Sequence, residues 1–161
     1  MTTDIDERLR DLGIELPRVF PPAGNYVSVA RTGALLYASG AGPVRPDGSI
    51  VTGKVGADID LDAAVEAARL TGLQLLAALA AECGSLNRIT RIVKTFGMVN
   101  CAPGFNRTPQ VIDGCSNLLV DVFGDAGRGA RSAVGMAELP FDIAVEIEAV
   151  VQCTPDPGPQ G

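Results

Sequence analysis

A chain of 161 residues, 47% apolar and 20% charged, is long enough to close one hydrophobic core and too apolar to stay disordered. Its net charge of −6, with basic residues scattered and no run that interleaves them with stacking aromatics, argues against a nucleic-acid partner. Histidine is absent, which removes the commonest general base, the Ser–His and Cys–His nucleophiles and the usual zinc sites. Chemistry must then run on carboxylates, arginine, lysine, tyrosine, backbone groups and water, so neither metal nor cofactor is expected. Residues 1–7 are acidic and lack the apolar segment of a secretory signal. The most apolar stretch, 70–81, is short of the roughly 20 residues a bilayer demands. A cytoplasmic location with no membrane partner is expected, and Cys83, Cys101, Cys115 and Cys153, widely spaced, are read as reduced thiols.

In chain order, residues 4–12 predict a short helix stopped by Gly13. Strands follow over 26–30 and 34–39 around the turn Arg31-Thr32-Gly33, then an extended piece near Ile50 and Val51. The clearest helix spans 61–81, capped by Asp60 and stopped by Gly84, with Val65, Ala68, Gly72, Leu75, Leu76 and Leu79 on one face. A strand over 89–99 precedes a second helix over 109–123, and strands over 132–139 and 143–151 close the chain around Pro140-Phe141-Asp142. In the last strand Ile143, Val145, Ile147, Ala149 and Val151 share one face, with Glu146 and Glu148 on the other. The order predicts one α+β domain over 1–152, a mixed sheet with both helices on one face, and a disordered tail over 153–161. The uncovered sheet face carries Val134, Met136, Ala144 and Val150, so a homo-oligomer is expected.

Two residues stand out chemically. Arg131 ends the glycine-rich loop Gly127-Arg128-Gly129-Ala130, where a guanidinium can grip a carboxylate through two parallel hydrogen bonds. Glu146 sits in apolar sequence, a setting that raises a carboxyl pKa and suits acid–base work. The structural alternative is an ion pair between their strands. A regular hairpin through residues 140–142 would separate the two by roughly 16 Å, too far for one small ligand, which points to a site shared between subunits. Tyr37 reads as a core or interface aromatic, Cys115 as inert and Lys94 as a solvated or ion-paired lysine. Gly127-x-Gly129 lacks the flanking strand and helix of a nucleotide loop.

The segments Ala130-Arg131-Ser132-Ala133-Val134, Leu139-Pro140 and Val145-Glu146-Ile147-Glu148-Ala149, with Tyr26-Val27, Leu36-Tyr37-Ala38-Ser39-Gly40 and Ile92-Val93-Lys94-Thr95, resemble the YjgF/Rid family of reactive intermediate deaminases over roughly 20–152. The N-terminal extension over 1–19 is similar to that of a subgroup. The resemblance implies a chorismate mutase-like fold assembled as a homotrimer around a central barrel, with clefts between subunits. It also implies hydrolysis of 2-imino or enamine acids to 2-keto acids and ammonia. Arg131 would hold the carboxylate of a small metabolite, Glu146 would activate water, and Tyr26, Asn117 and Ala133 would line the cleft. Ala133 stands where the family often has Cys, and Ala41 where it often has Gln. A non-catalytic carboxylate-binding or regulatory module and a chorismate mutase-type isomerase remain alternatives; the isomerase needs more cations than Arg131 and Arg91 supply.

Overall fold

The computed structural model describes residues 4–155. Asp4 accepts hydrogen bonds from the backbone N–H groups of Asp6 and Glu7 and so caps helix α1 (Ile5–Asp11). The Glu7 N–H, helped by the Asn87 amide, holds its carboxyl below the ordinary range. Ile5 and Leu9 are the buried face of α1, and Arg8 Nε ties it to the Asp121 carbonyl at 2.8 Å.

Strands β1 (Val29–Thr32) and β2 (Leu35–Ala41) form a hairpin around Gly33, whose φ of +57° suits glycine. β1 starts three residues later than the alternation predicts, because the Tyr26 N–H turns back to the Gly24 carbonyl. The extended piece near residue 50 is reduced to isolated bridges, Val44 to Ile50 and Thr52 to Ile143.

Helix α2 (Leu61–Cys83) is capped by the Asp60 carboxylate on the Ala63 N–H and ended by left-handed Gly84, both as predicted. It runs two residues longer than its periodicity suggests. By length and composition alone it could cross a membrane, a correction to the short apolar stretch read from sequence, since alanines from Ala63 onward extend the run. Its apolar face is nevertheless packed inside the protein.

Strand β3 (Ile89–Asn100), helix α3 (Thr108–Phe123), strand β4 (Ala130–Met136) and strand β5 (Val145–Cys153) complete the fold. The sheet order is β1-β2-β5-β3-β4. β4 runs parallel to β3 at the sheet edge, and β5 lies antiparallel between β2 and β3. This overturns the expected β4–β5 hairpin. The β3–α3–β4 passage is a crossover, whose helix returns the chain to pair in parallel. Phe141 and Asp142 then take left-handed conformations at φ +57° and +56°. Asp142 is held there by the Asn100 amide at 3.0 Å and the Gly53 N–H at 2.8 Å, so the chain leaves β4 instead of folding back on it.

All helices lie on one sheet face, as expected. Val145, Ile147, Ala149 and Val151 are buried beneath them, and Glu146, Glu148, Val150 and Gln152 share the opposite face. α2 and α3 touch through glycine: a Cβ on Gly114 would collide with the Val65 carbonyl, and one on Gly72 would lie 2.9 Å from Leu118. The predicted loose tail is tethered at its start. Cys153 closes β5, the Thr154 N–H donates to the Arg88 carbonyl, and Arg88 Nη2 donates to the Pro155 carbonyl. The rest of that tail lies outside the described residues.

Candidate functional site

Arg131 is the second residue of β4 and points to the helix side, onto α3. Its Nη1 donates to Asp113 Oδ1 at 2.7 Å and to Ser116 Oγ at 3.2 Å. Its salt-bridge partner is therefore Asp113, not Glu146 as the strand-pair alternative would have it. The pairing occupies one nitrogen only. Among the described residues Nε and Nη2 have no hydrogen-bond partner, and the side chain keeps 26% of its surface exposed. That is the edge of a guanidinium that takes a carboxylate in bidentate fashion.

A cavity of about 270 Å³ opens beside it, bordered by Thr95, Asp113, Ser116, Asn117, Arg128 and Arg131. Asn117, which the family resemblance places in the cleft, borders the same cavity as Arg131. Arg128 is pulled aside by Asp125 at 3.4 Å. Ala133 faces the helices two residues along β4 but does not border this cavity, and its carbonyl accepts from Thr108 Oγ1 at 3.0 Å. The glycine-rich loop before Arg131 has a steric reason: a Cβ on Gly127 would strike the Leu119 carbonyl, and one on Gly129 would sit 2.7 Å from the Ile92 carbonyl.

Asp113 and Ser116 are residues of this candidate site that sequence reasoning missed. Their signal is legible in hindsight. Asp113, Ser116 and Asn117 stand three and four residues apart, one polar stripe in an apolar helix.

Glu146 occupies a second region. β2 carries one extra residue between the pairs Ala38–Ala149 and Ala41–Ile147, a bulge that includes Ser39 and Gly40. The Glu146 carboxylate lies against Gly40, where any Cβ would collide with Oε1. Burial pushes its carboxyl pKa up, and the charge of Glu148 pushes the same way. Ser39 Oγ donates to the Val27 carbonyl at 2.7 Å, anchoring the segment that carries Tyr26. Tyr26 is half exposed and borders two cavities, of about 190 and 450 Å³. Among the described residues the Gln74 amide nitrogen is buried without a partner, beside the smaller one.

Within one chain these regions do not meet. Arg131 aligns with Thr95 and through it with Ala149, three residues from Glu146 along β5 and two strands away. The offset is roughly 10 Å along and roughly 10 Å across the sheet, and the side chains leave opposite faces. Strand order, with β3 between β4 and β5, sets this separation in place of the expected hairpin.

The other candidates resolve simply. Tyr37 is half exposed on the uncovered face, not core. Lys94 Nζ donates to Ser132 Oγ at 2.9 Å. Cys115 is fully buried and its thiol is pushed up to about 12 by burial, which makes it inert. Arg91 does not border the Arg131 cavity.

A family model described as "YjgF/chorismate mutase-like, putative endoribonuclease" matches residues 6–147. The chain is 42% identical to protein TCP17 of Trypanosoma cruzi over 145 residues, covering 89% of this chain and 91% of that protein. Among solved structures it is similar to an Agrobacterium tumefaciens protein of unknown function, at 44% identity and a TM-score of 0.85 over 93% of this chain and 94% of the other. It is also similar to E. coli TdcF with bound serine, at 26% identity and a TM-score of 0.60, covering 88% of this chain and 98% of TdcF. With the family model spanning nearly the whole chain, the protein belongs to the YjgF/chorismate mutase-like family.

Proposed function

We propose that the protein hydrolyses small 2-imino or enamine acids to 2-keto acids and ammonia, without a cofactor, at a site shared by neighbouring copies in a homotrimer. The observation that carries this reading is Arg131: one nitrogen is fixed by Asp113 and Ser116, Nε and Nη2 have no partner among the described residues, and the side chain borders a cavity able to admit a small carboxylate. The serine in the TdcF structure, a small 2-amino carboxylate, supports a ligand of that size. Net charge and the absence of histidine weigh against the ribonuclease in the family description.

The chemistry follows from two groups. Arg131 of one copy orients the carboxylate, and Glu146 of the next receives a proton from water as the water oxygen bonds to C2 of the protonated imine. Glu146 returns that proton to the nitrogen. The C2–N bond then breaks with its electron pair on ammonia, while the hydroxyl oxygen closes the C2 carbonyl and gives up its proton, yielding ammonium. A carboxyl raised by burial is suited to both halves of this exchange. Because the two regions lie on opposite sheet faces in one chain, the reaction requires assembly. The half-exposed Tyr26, Val27 and Tyr37 on the uncovered face and the outer edge of β4, unpaired among the described residues, support one.

Arg131→Ala is expected to lower kcat/KM for 2-iminopropanoate by roughly 100- to 1000-fold, the loss of a bidentate charge-assisted pair. Turnover unchanged in that variant would overturn the assignment. A second reading, a carboxylate-sensing module, is favoured by Ala41 and Ala133, which bring only methyl groups to positions that are polar in much of the family. Binding of 2-ketobutyrate with no imine hydrolysis would select it.

A further inference from the structure

Asp113 gives the Arg131 cavity a mixed charge. Its Oδ1 lies 2.7 Å from Arg131 Nη1, yet its side chain keeps 49% of its surface exposed. Oδ2 has no hydrogen-bond partner among the described residues, and Asp113 and Arg131 border the same cavity. A lone guanidinium attracts any small anion. One already neutralised at contact distance attracts a simple anion far less, because the incoming carboxylate also meets the Asp113 charge. The second cation of the cavity, Arg128, is drawn toward Asp125 and is largely exposed, so it does not restore the balance.

A zwitterion meets different terms. Its carboxylate can lie on Nε and Nη2 while its cationic nitrogen, one carbon away, faces Asp113 Oδ2, so that charges alternate around the group. Arg131 Nη1 holds the aspartate through Oδ1, and the same nitrogen is itself fixed by Ser116 Oγ. We infer that Asp113 is a specificity-determining residue that makes the site select carboxylates bearing a cationic 2-nitrogen over the corresponding nitrogen-free anions. The inference rests on the proposed role of Arg131 and deepens it. A protonated 2-imino acid is such a zwitterion and its 2-keto product is a plain anion, so the same residue that favours substrate favours product release.

The test compares L-alanine with L-lactate, near-isosteres that differ in ammonium against hydroxyl, by calorimetric titration of the full-length protein. Wild type is expected to bind alanine at least tenfold more tightly than lactate. Asp113→Asn keeps an oxygen for Arg131 Nη1 but removes the charge, and should cut that ratio to near one or invert it, mainly by tightening lactate. Asp113→Ser should move the ratio in the same direction, and thermal melts check that both variants fold. An unchanged ratio in both folded variants overturns the inference while leaving Arg131 in place. Arg131→Ala should abolish binding of both ligands; if it does not, or if wild type binds neither at millimolar concentration, the proposed function itself fails with it.

Discussion

On the helix side of the sheet almost every side chain is enclosed, and the layers approach so closely that glycine is required where α3 crosses α2 at Gly114 and where β3 meets Ile112 at Gly97. On the other side Tyr26, Val27 and Tyr37 are half exposed around a cavity of about 450 Å³ that also reaches Lys94, Phe96 and Glu148. One sheet thus carries a finished core and an unfinished surface. Substitutions on the first should act on folding, and substitutions on the second on association. The proposed site uses both: Arg131 belongs to the enclosed side, rigidly placed by α3, and Glu146 to the open side, beside a bulge.

The sharpest way to break this comparison is at Gly114. Gly114→Val puts branched carbon into the Val65 carbonyl, where backbone must move, and should destabilise the fold by about 3 kcal/mol or more, enough to lower Tm by roughly 6–12 °C. Thermal unfolding by circular dichroism reads it, and a Tm within 2 °C of wild type would show that the helices are not in the contact described. On the open side, Tyr37→Glu should leave Tm of the protomer nearly unchanged but place a charge on the surface proposed to meet other copies. Sedimentation velocity should show the assembled species lost in favour of single chains, with imine hydrolysis lost in parallel. Retained assembly would move the interface elsewhere.

The helices were the most legible part of the chain, because their limits are set by local chemistry. Asp4, Asp60 and Gly84 mark ends that the structure places within one or two residues. Strand pairing was not legible in that way. The stretch around Pro140 looks like a hairpin turn, yet whether β5 returns to β4 or inserts beside β3 depends on Asn100 and Gly53 reaching Asp142 from distant sequence. The β-α-β order around α3 does carry the parallel pairing, because a helical crossover returns the chain in the parallel direction. Arg131, Asn117, Tyr26 and Glu146 were visible as residues, and so was the distance between Arg131 and Glu146, but not the strands that lie between them, since those follow from strand order. Asp113 was hidden for another reason: a carboxylate on a helix looks like solvated surface until the strand that faces it is known.

A finer test concerns what tunes Glu146 on the open face. Its carboxyl is raised first by burial and second by the negative charge of Glu148, two residues along the same strand face. Glu148→Gln removes the second cause and leaves the first, so the Glu146 pKa should fall while staying above its ordinary 4.5. Proton acceptance from water needs the ionised form, and hydrolysis should therefore fail on the acid side as Glu146 protonates. In the variant this acid limb of kcat/KM should move to lower pH, with the plateau rate within about twofold of wild type. Stability gives the matching sign. A carboxyl raised in the folded state binds more protons than in the unfolded chain, so its contribution is fully present below 4.5 and is lost as pH rises through the raised value. Glu148→Gln should narrow that window and flatten the decline of Tm above pH 4.5. An acid limb that stays fixed while the Tm profile flattens would mean that Glu146 titrates as described but does not handle the proton of the reaction.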